Sequence, residues 1–161
     1  MEAVRAAAAE DEPRLRALAG EMLAGLLDQR GGRLLLASDP TARGGTGLAD
    51  RVAGWVGSAG SAGRLVLVGT LEGAVTGFAC GHVDDPEGGG RRGVLDACYV
   101  EPAARGVGIG RLLVDSVVSW FEDRGVEGVD GIALPGDRQA KNFFESAGFK
   151  ARMLTMHRSL G

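Results

Sequence analysis

The run Tyr99-Val100-Glu101-Pro102, then Arg105-Gly106-Val107-Gly108-Ile109-Gly110, then the periodic segment Arg111 to Arg124, decides the reading of this chain. An extended segment turns sharply through glycines into an amphipathic helix. Glycine lets a backbone approach a ligand closely, and free N–H groups at a helix start attract phosphate. The turn therefore predicts a ligand that carries a pyrophosphate. With 28 Gly in 161 residues, a spacing of Arg, two residues, Gly, one residue, Gly arises roughly once by chance. Its setting gives it weight: a strand-like run before it, a helix-like run after it, and a second segment at Ala140 to Phe149.

Two other phosphate-binding readings fail on spacing. A dinucleotide fold needs a small residue where Arg111 stands. A P-loop needs Gly-Lys-Ser/Thr, which does not follow.

Working outward, residues 1–161 are enough for one domain with a real core. The net charge of −3 gives no basic footprint for nucleic acid. No run approaches the ~20 apolar residues that cross a bilayer, and Glu10, Asp11 and Glu12 interrupt any leader-like core near the start. No membrane or nucleic-acid partner is therefore expected. Cys80 and Cys98 have neither a disulfide framework nor zinc spacing, so no metal site and a reducing, cytoplasmic setting are expected.

Val4 to Ala7 reads as a first strand. Glu12-Pro13 opens a helix with Leu15, Leu18, Ala19, Met22 and Leu26 at helical spacing. Arg30 to Gly47 reads as a long flexible connection, Leu48 to Val56 as a short helix, and Ser58 to Gly63 as a small-residue loop. Leu65 to Leu71 and Ala74 to Asp84 form a hairpin through Glu72-Gly73. Val94 to Val100 is the next strand. The helix after it presents Ile109, Leu112, Leu113, Val117, Trp120 and Phe121 on one face, and Gly125 stands past its end. Val129 to Leu134 reads as a strand. Asp137 caps a helix that ends at Gly148, where a Schellman turn folds Phe149 back toward Phe143 or Phe144. Met153 to Leu160 is expected as a last strand. The order is α+β: a single domain with a mixed, mostly antiparallel sheet flanked by helices.

The run Val100-x-Pro102-x-x-Arg105-Gly106-x-Gly108-Ile109-Gly110 and the downstream Ala140, Phe143, Phe144, Glu145, Gly148 and Phe149 resemble the two signatures of the GNAT N-acetyltransferase superfamily. The resemblance covers nearly the whole chain and is strongest from Val94 to Phe149. It implies a GNAT-like fold and acetyl-CoA as cosubstrate. The backbone of Arg105, Gly106, Val107, Gly108, Ile109, Gly110 and Arg111 would hold the pyrophosphate. The strand at Cys98, Tyr99 and Val100 would bond the pantetheine arm, with the Val100 amide on the thioester carbonyl. Asp137 stands where relatives carry a cofactor-contacting asparagine. The acetyl group would pass to a primary amine, on a small molecule or a protein, by direct attack in a ternary complex.

Phe144 stands where the family usually has a proton-donating tyrosine. Tyr99, on the strand beside the cofactor, is the remaining phenol. An acceptor ammonium must also lose a proton, which suits a carboxylate or histidine. Asp96, in an otherwise apolar strand, and His82, on the neighbouring one, are the candidates. In relatives that acetylate protein N-termini on the ribosome an acidic residue lies on the strand after the long helix; here that position is Ile132, which argues against that subgroup. The acidic cluster Asp84, Asp85 and Glu87 reads as a solvated loop, or as a lure for a cationic acceptor. The absent tyrosine also leaves a second reading: a non-catalytic, regulatory domain that binds an acyl-CoA. The oligomeric state is open.

Overall fold

The computed structural model describes residues 1–38, 47–56 and 63–161. β1 (Glu2–Ala6), α1 (Glu12–Leu27), α2 (Gly32–Ser38) and α3 (Gly47–Val56) come first. β2 (Arg64–Leu71), β3 (Ala74–Asp84) and β4 (Arg92–Val100) follow, then α4 (Ile109–Glu122), β5 (Val129–Gly131) and α5 (Arg138–Ser146). The five strands lie in sequence order. β1 to β4 pair antiparallel, and β5 runs parallel to β4, as a crossover through α4 requires. This is the mixed, mostly antiparallel sheet expected of the sequence.

Alternation along the strands splits the apolar residues between two faces. Val66, Val68, Phe78 and Cys80 meet Leu15, Leu18, Leu48 and Val52 of α1 and α3. Leu65, Leu67, Ala79 and Leu95 meet Ile109, Leu113, Val114, Val117 and Phe121 of α4. On the α4 face the sheet is thinned by glycines. A Cβ at Gly69 would lie 2.5 Å from Ile109, at Gly93 2.7 Å from the Phe121 ring, and at Gly131 2.8 Å from Phe144. The side chains of the helices thus rest directly on strand backbone.

The local signals are realised where the chemistry demanded them. Glu72 (φ 50°) and Gly73 (φ 83°) join β2 and β3 in the left-handed conformation that a two-residue hairpin favours. Asp137 caps α5 by accepting from the Ala140 amide at 2.9 Å. Gly148 (φ 90°) lets Phe149 N–H return to the Phe144 carbonyl at 3.0 Å, and the Phe149 ring lies 5.1 Å from that of Phe144.

Four expectations are corrected. Residues Gly32–Ser38 of the supposed connection form α2, a helix too short for its period to show between Gly31 and Pro40. Residues 39–46 of that connection, and 57–62 of the small-residue loop, lie outside the described residues. Leu112 is 42% exposed, and Val114 takes its place in the core. The strand expected to Leu134 stops at Gly131, where the Phe144 ring packs against its backbone. Met153 to Leu160 forms no strand; Met153, Leu154, Met156 and Leu160 are 77–92% exposed. Leu154, Met156 and Leu160 fall on one period-2 face, but Arg158 interrupts it and Met153 lies off it.

The start of α1 is fixed by one ion pair. Asp11, almost fully buried, accepts two bonds from Arg5 (2.6 and 2.8 Å) and one from the Ala8 amide (2.8 Å). The Arg5 guanidinium, opposed by burial and helped by the Ala8 amide, holds its carboxyl below the usual range. Because the folded value is depressed, the stabilisation is present above the unfolded carboxylate's titration and lost as pH falls through the folded one. Asp11→Asn is expected to lower stability by about 1–2 kcal/mol at pH 7, with half-exposed Arg5 limiting the loss. In urea melts across pH, the gap between variant and parent should close in acid.

Candidate active site

β4 hydrogen-bonds β3 along its length, but meets β5 only from Gly93 to Leu95. Beyond Leu95 the two strands part, and the β5-facing edge of β4 is open. Glu101 N–H donates to the Thr76 carbonyl of β3 (2.9 Å). Strand alternation therefore turns the amides of Cys98 and Val100 the other way, into the opening. The Val100 carbonyl is on the same side and accepts from Arg105 Nε at 2.8 Å.

The glycine turn closes one end of this opening. Gly106 (φ 85°) and Gly108 (φ 100°) are left-handed, and a Cβ at either would meet nothing within 4 Å. Gly108 is the N-cap of α4, its carbonyl accepting from Leu112 (3.0 Å). The amides of Ile109, Gly110 and Arg111 therefore lack intrahelical partners and sit at the positive end of the helix dipole. Val107 is 45% exposed at the rim. Arg111 uses its side chain elsewhere: it pairs with Asp115 (2.9 Å) and donates to the Ser146 carbonyl (2.9 Å), tying α4 to α5. Asp137, Ala140, Phe143 and Phe144 line the facing wall of the cleft, whose volume is about 1530 Å³.

The other end of the cleft holds the titratable groups. His82 Nδ1 lies 2.6 Å from Asp96 Oδ2, and Arg51 of α3 donates to Asp96 Oδ1 at 3.2 Å. Asp96 is 9% exposed and His82 34%. With Nδ1 bound to the carboxylate, the Nε2 lone pair is the one available as a base. The Trp55 ring packs edge-on to His82 at 5.9 Å, with the Arg51 and Arg64 guanidinium carbons 5.7 and 5.4 Å from its centre.

A bulge sits at the His82–Asp96 contact. Cys80 pairs with Ala97, but Gly81 pairs with Leu95, so Asp96 is an extra residue in β4. Leu95 and Ala97 consequently belong to opposite core clusters, although their spacing alone would put them on one face.

Tyr99 donates to Glu21 Oε2 of α1 at 3.3 Å. Burial, then the Glu21 carboxylate, raises its phenol above the usual value. Glu101 pairs with Arg14 (2.5 Å), which also donates to the Val75 carbonyl. Asp84 and Asp85 do not line the cleft: Asp84, the last residue of β3, pairs with Arg92 (2.9 Å), and Asp85 with Arg91 (3.5 Å). Among the described residues no three His, Cys, Asp or Glu groups could hold a metal ion, and no helix is long and apolar enough to cross a membrane.

The site thus brings Asp96, His82, Tyr99 and the glycine turn to one cleft. Sequence reasoning missed Arg51, Trp55 and Arg64. The i, i+4 spacing of Arg51 and Trp55 on α3 carried a signal. The pairing of Arg64 with His82 across β2 and β3 carried another.

The sequence matches the acetyltransferase (GNAT) family over residues 31–149, and the chain belongs to that family. Its fold is similar to that of the tetramutant of the BH1408 protein from Bacillus halodurans, with a TM-score of 0.78 and 20% identity over 98% of this chain and 99% of that one. A predicted acetyltransferase from Clostridium acetobutylicum, solved with acetyl-CoA, gives 0.71 at 15% identity, over 99% and 96%. AAC(6')-Iy, solved with the bisubstrate analog CoA-S-monomethyl-acetylneamine, gives 0.68 at 15% identity, over 100% and 99%. No curated protein sequence matches the chain.

Cys98 stands on the open strand, where an acyl-enzyme would need a thiolate. Its side chain packs into the α4-side core, and burial pushes its thiol up to about 12. Little of it is thiolate at neutral pH. Ellman's reagent should therefore label neither Cys98 nor the buried Cys80 of the folded protein within minutes at pH 8, and both in urea.

Proposed function

We propose that this chain is an acetyl-CoA-dependent N-acetyltransferase acting on a primary amine by direct attack in a ternary complex. The observation that carries the reading is one cleft with an open β4 edge and glycine cradle at one end and the His82–Asp96 pair at the other. The cofactor would supply the activated acyl group as a thioester. The residues fit it: the space over Gly106 and Gly108 is empty of protein, and the amides from Gly106 to Arg111 suit a pyrophosphate, whereas the Arg105 amide, expected to join them, is taken by the Pro102 carbonyl (3.3 Å). Cys98 and Val100 offer backbone groups to the pantetheine arm, and the Val100 amide would stabilise charge on the thioester oxygen. Asp137, whose carboxylate already caps α5, would border the cofactor through its backbone.

His82 Nε2 would take the proton of the acceptor ammonium, directly or through water. Asp96 orients the imidazole and balances the charge it gains, as in other His–carboxylate pairs. The new C–N bond forms as the C–S bond breaks. As the C–S bond breaks the nitrogen gives up its second proton to water, and the departing sulfur takes one from the Tyr99 phenol, which water then reprotonates, or from water directly. Phe144, held between Phe143 and Phe149, supplies none.

Phe144 also favours a second reading, in which the chain binds acyl-CoA without turnover. Two measurements separate them. Acetyl-CoA at ~100 times its dissociation constant should stabilise by about 2.7 kcal/mol, or about 5–10 °C in Tm for a chain of this size. Gly108→Asp should lose that shift, while Gly108→Asn, which tolerates the same φ without charge, should keep most of it. Free thiol should also appear with at least one primary amine; a Tm shift without thiol release on any amine would support the binding reading.

His82→Ala should lower kcat by about 10²–10⁴, and added imidazole should restore part of it. A purely structural histidine would give no such rescue.

A further inference from the structure

We propose that the acceptor carries a carboxylate close to its reacting amine, and that Arg64 receives it. This rests on the acetyl-transfer reading above and names the substrate class of the same site: amino acids, as opposed to simple amines.

Arg64 and His82 are directly opposite on β2 and β3, so their side chains leave the same face of the sheet, with Cβ atoms roughly 5 Å apart. Both reach the Trp55 ring, the guanidinium carbon at 5.4 Å and the imidazole at 5.9 Å. All three line the cleft. Neighbouring charges are already committed. Asp96 is bound by His82 and Arg51, and Glu21 by Tyr99 and Arg14. Among the described residues the Arg64 guanidinium has no carboxylate within ion-pair distance; its contact is the indole face.

The consequence is electrostatic. An acceptor arrives as an ammonium, and a guanidinium one residue pair from the base repels it. A zwitterion turned with its carboxylate to Arg64 converts that repulsion into attraction, and the amine then falls beside His82. A planar guanidinium pairs a carboxylate through two parallel bonds. One guanidinium balances a monoanion, which favours carboxylate over the dianion of a phosphate. Trp55 gives the carbon skeleton between the two groups an apolar surface to lie on.

The test uses the full chain, acetyl-CoA, and amino carboxylates with one to four carbons between amine and carboxylate, among them leucine, phenylalanine, β-alanine and γ-aminobutyrate. Each is paired with its carboxamide, and O-phosphoethanolamine is added as a phosphate arm. At least one acid should exceed its carboxamide in kcat/KM by roughly 10- to 100-fold, mainly through KM. In Arg64→Gln the two members of that pair should become equal, with Arg64→Lys intermediate. Equal rates within every pair, a preference that survives Arg64→Gln, or a larger rate with the phosphate would overturn the assignment while leaving acetyl transfer intact.

If thiol appears with no amine, acetyl transfer itself fails, and calorimetry reads the anion site separately. N-acetyl acids should then bind the parent more tightly than N-acetyl amides, and equally to Arg64→Gln. No difference in the parent would overturn the Arg64 assignment on its own.

Discussion

Each strand carries donors and acceptors along two edges, and β4 has a protein partner for only one of them beyond Leu95. Much else is arranged around that open edge. β3 holds its inner side straight, and Arg105 grips the Val100 carbonyl at its end. Arg14 pins Glu101 to α1 and to β3. The chain then enters the glycine turn and α4, whose first amides point into the same gap. Backbone polarity that would be costly if buried is kept in the cleft, facing where a ligand's own polar groups could complete the pairing.

The bulge at Asp96 has a comparable reach. One extra residue inverts the inward and outward faces of everything after it. Cys98 and Val100 pack toward α4 and Tyr99 toward α1 because of that inversion. Asp96 itself keeps the face of Val94, two residues before it, and that is the face of Val94's partner His82. The same residue thus orders the core and carries the carboxylate.

The elements with strong periodicity, α1, α4 and the β2–β3 hairpin, were legible, as were the caps at Asp137 and Gly148, because each follows from local chemistry. The glycine turn was legible for the same reason. The bulge was not: its evidence is a register between two strands, and register is a property of pairs. His82 and Asp96 could be named singly, but their contact depends on that register. Arg64 and Trp55 were missed because Arg64 meets His82 only through the pairing of β2 with β3, and Trp55 joins them only through the packing of α3 on the sheet. α2 and the missing last strand show the opposite limit, where short apolar runs without clear period say little about their structure.

The glycines beneath the helices link positions that are remote in the chain. Phe121 lies on Gly93, Ile109 on Gly69, and Phe144 on Gly131, at distances no added carbon could share. A larger residue at any of these strand positions requires a smaller one above it. Related sequences should therefore trade bulk between strand and helix in matched pairs, so that Gly93 and Phe121 drift together or not at all. The abundance of glycine in this chain is in part a record of how closely its helices sit upon the sheet.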